Sequence, residues 1–110
     1  MKRLLNALLM LTIGLFAFPY TAAAYDGVYT GTITTMHFNA NVPGRGVCVQ
    51  MNPAINSPSG IYACLPTSNA LYKEITAILL TGYATGKSCT LYLIFTTGSL
   101  YNEIEIAQCE

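Results

Sequence analysis

The spacing of apolar residues divides the chain into two unequal parts. Met1-Lys2-Arg3 is a short basic start, Leu4 to Phe18 is mostly apolar, Pro19 breaks that run, and Ala22-Ala23-Ala24 follows. Beyond it, apolar residues fall in short runs separated by Gly, Pro, Asn and Ser. Val28 to Phe38 is Thr-rich and β-branched, which fits a pleated, half-buried strand, and Gly31 inside it marks a bulge or bend. Asn39 to Gly46 has turn composition. Val47 to Met51 predicts a second strand, Asn52 to Gly60 a loop, and Ile61 to Leu65 a third strand stopped by Pro66.

A change of period then predicts one helix, over about 68–85. Thr67 or Ser68 is placed to cap it. Leu71, Ile75, Ile78, Leu79 and Gly82 fall on one face, with Lys73, Glu74 and Thr81 away from it. Gly86 with Lys87 makes a stop. Ser88 to Thr96 predicts a fourth strand, apolar enough to be central, and Thr97-Gly98-Ser99 turns it. Leu100 to Cys109 predicts a fifth strand, with Ile104 and Ile106 alternating against Glu103 and Glu105.

The order β-β-β-α-β-β defines a mostly β (α+β) chain. Five strands with a helix between the third and fourth is the order of the OB-fold, a small, partly open barrel whose open end one amphipathic helix can plug. Other α+β sheets share that order. OB-folds hold oligosaccharides, nucleic acids and proteins, so the fold leaves the function open.

Residues 1–24 have the three-part form of a secretory signal, with cleavage expected after Ala24. The apolar run is too short and too early for an ordinary membrane span, and no second run follows, so no membrane insertion is expected once it is removed. Removing 24 of 110 residues leaves 86, a single OB-like domain over 25–110. The destination is the periplasm or the exterior. At this size a hydrophobic core alone leaves little margin. All four cysteines lie in this part, and an even count in a short secreted chain reads as two disulfides. Of three connectivities, Cys48–Cys64 with Cys89–Cys109 is favoured because each pair falls in neighbouring β segments. Wide cysteine spacing and a single histidine disfavour zinc, and no cofactor is expected.

The mature part carries Arg45, Lys73 and Lys87 against Asp26, Glu74, Glu103, Glu105 and Glu110, a net charge of −2. So few charges, with no basic cluster, argue against nucleic acid or an anionic membrane as partner. Catalysis is also poorly supplied. Asp26 and His37 are the one aspartate and one histidine, no G-x-S-x-G accompanies them, and Glu103 with Glu105 reads as a solvent-facing alternation. Seven tyrosines remain, namely Tyr25, Tyr29, Tyr62, Tyr72, Tyr83, Tyr92 and Tyr101. Some must be core, but tyrosine also stacks on sugar rings and donates a hydroxyl. Tyr29 between Gly27 and Gly31 is the preferred ligand contact, since the glycines leave room there, with Asp26 and Thr30 as polar companions.

Three stretches carry a family resemblance. Asp26-Gly27-Val28-Tyr29-Thr30-Gly31 resembles the opening strand of the B subunits of the subtilase cytotoxin and typhoid toxin group. Val47-Cys48-Val49 with Tyr62-Ala63-Cys64 resembles that family's cysteine-bearing strand pair. Tyr83-Ala84-Thr85-Gly86-Lys87 followed by Ser88-Cys89-Thr90-Leu91-Tyr92 resembles its helix end, turn and next strand. Small secreted bacterial proteins carrying this domain alone look similar. The resemblance implies a homopentamer, a separate catalytic A subunit, a sialylated-glycan receptor, and a sugar site at Asp26 and Thr30. Tyr92 is a further expected contact. The chain differs from the family in having Leu93 where a tyrosine is expected, no tryptophan, and a second cysteine pair that does not close a tight loop. The leading expectation is a non-catalytic glycan-binding module. A periplasmic or secreted domain acting through protein contacts, such as an inhibitor or envelope factor, is the alternative, and a small hydrolase comes third.

Overall fold

The computed structural model describes residues 25–39, 42–96 and 100–110. The expected signal segment and the Thr97-Gly98-Ser99 turn lie outside the described residues. Among the described residues five strands and one helix are formed: β1 (Gly27–Asn39), β2 (Gly46–Asn52), β3 (Tyr62–Cys64), α1 (Tyr72–Thr85), β4 (Ser88–Phe95) and β5 (Tyr101–Cys109). The strands run β1-β2-β3-β5-β4 around a barrel that closes on itself. Among the described residues only the β3–β5 pairing is parallel. This is the five-stranded barrel with one helix of an OB-like fold.

The expected partly open barrel is corrected to a closed one, for two reasons. β1 serves two neighbours in turn: Gly27 to Thr32 pairs with β4, and Thr32 to Asn39 pairs with β2. A register shift between Ile33 and Thr35 lets the strand coil from one to the other. On the far side, three-residue β3 reaches β5 through Tyr62↔Tyr101, Ala63↔Asn102 and Cys64↔Glu103. The expected bulge at Gly31 therefore sits further along, at the Ile33/Thr35 shift. Gly31 serves close approach instead: a Cβ there would lie 2.5 Å from the Asn52 carbonyl oxygen.

Inward residues alternate along the strands as the sequence predicts. Val47, Val49 and Met51 of β2, Ala63 and Leu65, Leu91 and Leu93 of β4, and Ile104 of β5 are buried, with Ile75 and Leu79 entering from α1. Burying each such aliphatic chain contributes on the order of 1.5–3 kcal/mol. On β5 the alternation breaks. Leu93 pairs with Ile104 but Tyr92 pairs with Ile106, so Glu105 is an extra residue on β5. That bulge turns Ile106 outward, 46% exposed, and puts Ala107 inside in its place.

Helix α1 starts at Tyr72 rather than Ser68. Neither Thr67 nor Ser68 caps it; Leu71 stands at the cap position with no side-chain cap. Residues 66–71 are spent on turns instead. The Asn69 N–H donates to the Pro66 carbonyl at 3.0 Å, and the Asn69 side-chain oxygen accepts the Leu71 N–H at 2.8 Å. Short polar side chains compete with the helix for backbone groups in this way. The C-terminus stops as expected, with Gly86 left-handed at φ +66° and Lys87 N–H reaching the Gly82 carbonyl at 3.1 Å. The plug is narrow. Ile75, Leu79 and Gly82 enter the barrel, whereas Leu71 and Ile78, expected on the same face, stay substantially exposed. The barrel mouth admits only a stripe one side chain wide.

Both expected disulfides are formed, each between residues directly opposite in register: Cys48–Cys64 joins β2 to β3, and Cys89–Cys109 joins β4 to β5. Among the described residues, no helix is long and apolar enough to cross a membrane.

Candidate functional site

The sequence-predicted residues lie along the start of β1 and its β4 neighbour, and each already has a partner. The Asp26 carboxylate accepts the Phe95 backbone N–H at 2.9 Å, extending the β1–β4 ladder beyond its last pair. The Tyr29 ring packs against the core, and its hydroxyl donates to the Asn56 carbonyl at 2.8 Å. Thr30 and Thr90 hydroxyls meet across the strands at 2.9 Å. The Tyr92 ring meets the Tyr25 ring edge-on, centroids 4.8 Å apart. Residues on a strand alternate sides, so Tyr29 points inward while Thr30 points outward. Tyr92, opposite Val28 in register, shares the outer side with Thr30. The space expected beside Tyr29 is taken. A Cβ on Gly27 would come within 2.8 Å of the Phe95 ring and 3.1 Å of the Tyr29 ring. The Asn52 backbone closes the Gly31 side.

A hollow opens elsewhere, on the outer wall over β2 and β3. It holds about 220 Å³ and is lined by His37, Asn39, Arg45, Cys48, Tyr62, Cys64, Leu100 and Tyr101. Its floor is the Cys48–Cys64 disulfide, both of whose residues are buried although they point away from the core. Tyr62 and Tyr101 are register partners across the parallel β3–β5 seam and stand side by side. His37, opposite Cys48 in register, meets the Tyr62 ring edge-on at 5.8 Å between centroids.

Arg45 is delivered by a tight turn. Val42-Pro43-Gly44-Arg45 closes with the Arg45 N–H donating to the Val42 carbonyl at 3.2 Å. Proline stands second and Gly44, at φ +83°, third, the arrangement of a type II turn. Gly46 follows at φ +68°, with Leu65 and Tyr72 so close that no Cβ fits. The guanidinium then lies 4.1 Å from the Tyr101 ring centroid, a cation–π contact. Its Nε is buried without a hydrogen-bond partner. An unmet buried donor costs about 1–3 kcal/mol. Among the described residues, no acidic side chain lines the hollow. It therefore offers aromatic faces, a fixed cation and a histidine.

Two other hollows are less suited. One, about 450 Å³, lies before α1 between Pro66, Ser68 to Leu71, Glu103 and Glu105. The other, about 260 Å³, lies between α1 and Cys109. None of Asp26, Tyr29, Thr30 and Tyr92 lines any of these three. Among the described residues, no group of three His, Cys, Asp or Glu is placed to hold a metal ion. Asp26 and His37 stand at opposite ends of β1.

Nothing in the sequence pattern joins His37, Tyr62 and Tyr101. What joins them is barrel closure, which brings four separate segments to one wall. The signal that was available is the Pro-Gly turn delivering Arg45, the one arginine beyond residue 24. Comparison of the chain with protein-family models, with curated proteins and with solved structures finds no match.

Proposed function

We propose that this chain is an exported, non-catalytic binding module that holds a glycan. The observation that carries this reading is the aromatic hollow over β2 and β3, flanked by Asn39 and Arg45 on one side and Leu100 on the other. That is the wall with which OB barrels take oligosaccharides. Tyrosine faces beside a guanidinium suit a sugar ring, which presents C–H groups on its faces and oxygens at its edge. Two disulfides in so small a barrel fit an oxidising compartment, and the leader at 1–24 supplies the route. The resemblance to toxin B subunits agrees with the reading and adds a homopentamer, a glycan receptor and a separate catalytic chain as its further terms. A glycan array probed with the purified protein tests it. Binding to a defined set of glycans with no cleavage of them is expected; an array with no signal overturns the reading.

A second reading has its own observation. Val28, Tyr92 and Ile106 form one row across β1, β4 and β5, and Val28 and Ile106 are about half exposed. Such an apolar row suits protein contact. A pull-down that yields one specific protein, together with a silent array, favours this reading over the first.

A further inference from the structure

We infer that the hollow over β2 and β3 is a site for one terminal sugar ring, stacked on Tyr62 and hydrogen-bonded by Arg45. This rests on the glycan reading above and assigns its site. Three features of the hollow carry it.

The first is size and depth. A cavity of about 150 Å³ holds one benzene ring. A hollow of about 220 Å³ has room for one substituted six-membered ring and not two. The Cys48–Cys64 disulfide closes it below, so a ring enters from the open side and goes no further. A terminal ring can sit on that floor with its one linkage left at the open side.

The second is the division of labour between the tyrosines. The Tyr101 ring is occupied by the Arg45 guanidinium at 4.1 Å. Tyr62 meets His37 with its rings nearly perpendicular and is exposed, which leaves it as the stacking surface. Tyr101 thus holds Arg45 in place before any ligand arrives. A guanidinium fixed in advance loses little freedom when it binds.

The third is polarity. Arg45 donates only, its Nε lacks a partner, and no carboxylate competes for it within the hollow. The matching ligand edge carries paired acceptors, as a vicinal diol or a carboxylate does.

The test is an NMR titration of the purified protein with methyl hexosides and the corresponding methyl hexuronides. Each ring is also offered as the inner unit of a disaccharide. At least one free ring is expected to shift the amides of His37, Tyr62 and Tyr101, and its capped form is expected to leave them unmoved. Whichever arm binds, neutral or acidic, identifies the acceptor pair. Arg45→Ala and Tyr62→Ala should each weaken binding about tenfold or more, with the melting temperature recorded alongside. The shift map needs no variant, so it decides the matter even where a variant fails to fold. If array-positive glycans instead shift Asp26, Thr30 and Tyr92 and survive Arg45→Ala, the glycan reading stands and this site falls. Equal binding of capped and free rings overturns the terminal assignment. No binding by any sugar overturns both.

Discussion

Gly82 has no space beside it. It lies where α1 crosses the Cys89–Cys109 bridge, and a Cβ there would stand 2.5 Å from one sulfur and 2.6 Å from the other. Neither sulfur can swing away, because the bond between them ties β4 to β5. Gly82→Ala must therefore lift the helix. Overpacking of this kind costs about 1–3 kcal/mol, and denaturant unfolding should show that loss. A neutral result would mean that α1 does not rest on the bridge. The sequence placed Gly82 on the inner face through its spacing from Ile75 and Leu79, and that placement holds. What spacing alone left hidden is why the position is glycine, since the bridge beneath it comes from strands later in the chain. Gly27 and Gly31 teach the opposite lesson. They were read as room for a ligand, and the room is filled by Phe95 and by the Asn52 backbone. A glycine in a strand signals close approach, and the sequence does not say of what.

At the scale of elements, strand number, helix number and disulfide pairing were all legible, because each rests on local composition or on adjacent segments. The misreadings share one origin. A bulge at Glu105 breaks the period of two, so Ile106 leaves the core that its alternation with Ile104 promised. Residues 66–71 turn where a capped helix was expected, and the barrel mouth admits fewer helix residues than the apolar stripe offered. These outcomes are set by neighbours distant in sequence. The cross-links carry much of the elements' stability. They close loops of 16 and 20 residues, each contributing about 3 kcal/mol by constraining the unfolded chain. Reduction should lower the melting temperature by roughly 10 °C or more per bridge. Replacing Cys48 and Cys64 with alanine should match the effect of reducing that bridge alone. Calorimetry with and without reductant measures both, and an unmoved transition would deny the bridges this role.

For the whole molecule, the decisive join is the one between β3 and β5, and it is the thinnest. Three register pairs close the barrel there, in the parallel arrangement. Beyond Glu103, β5 pairs with β4 alone. Asn102 reinforces the seam from inside. Fully buried, it donates through Nδ2 to the Gly60 and Tyr62 carbonyls at 3.1 and 2.9 Å, and its Oδ1 accepts the Ser57 hydroxyl at 2.6 Å. One side chain thus ties the β2–β3 loop, β3 and β5 together. Asn102→Ala would remove its bonds to the Gly60 and Tyr62 carbonyls, of which Gly60 keeps the Ser57 hydroxyl at 3.2 Å, a loss of about 1–3 kcal/mol. Asn102→Asp keeps the shape but turns a donor into a carboxylate facing those carbonyls, so it should destabilise at least as much. The hollow straddles this same seam, with Tyr62 on one strand and Tyr101 on the other. Both variants should therefore speed amide exchange across Tyr62–Cys64 and Tyr101–Glu103 and weaken ligand binding as well, although Asn102 faces away from the hollow. Faster exchange spread evenly over the barrel, with binding intact, would show that the seam and the site are independent. Exchange confined to β3 and β5, with weakened binding, would show that closing the barrel and building the site are one event.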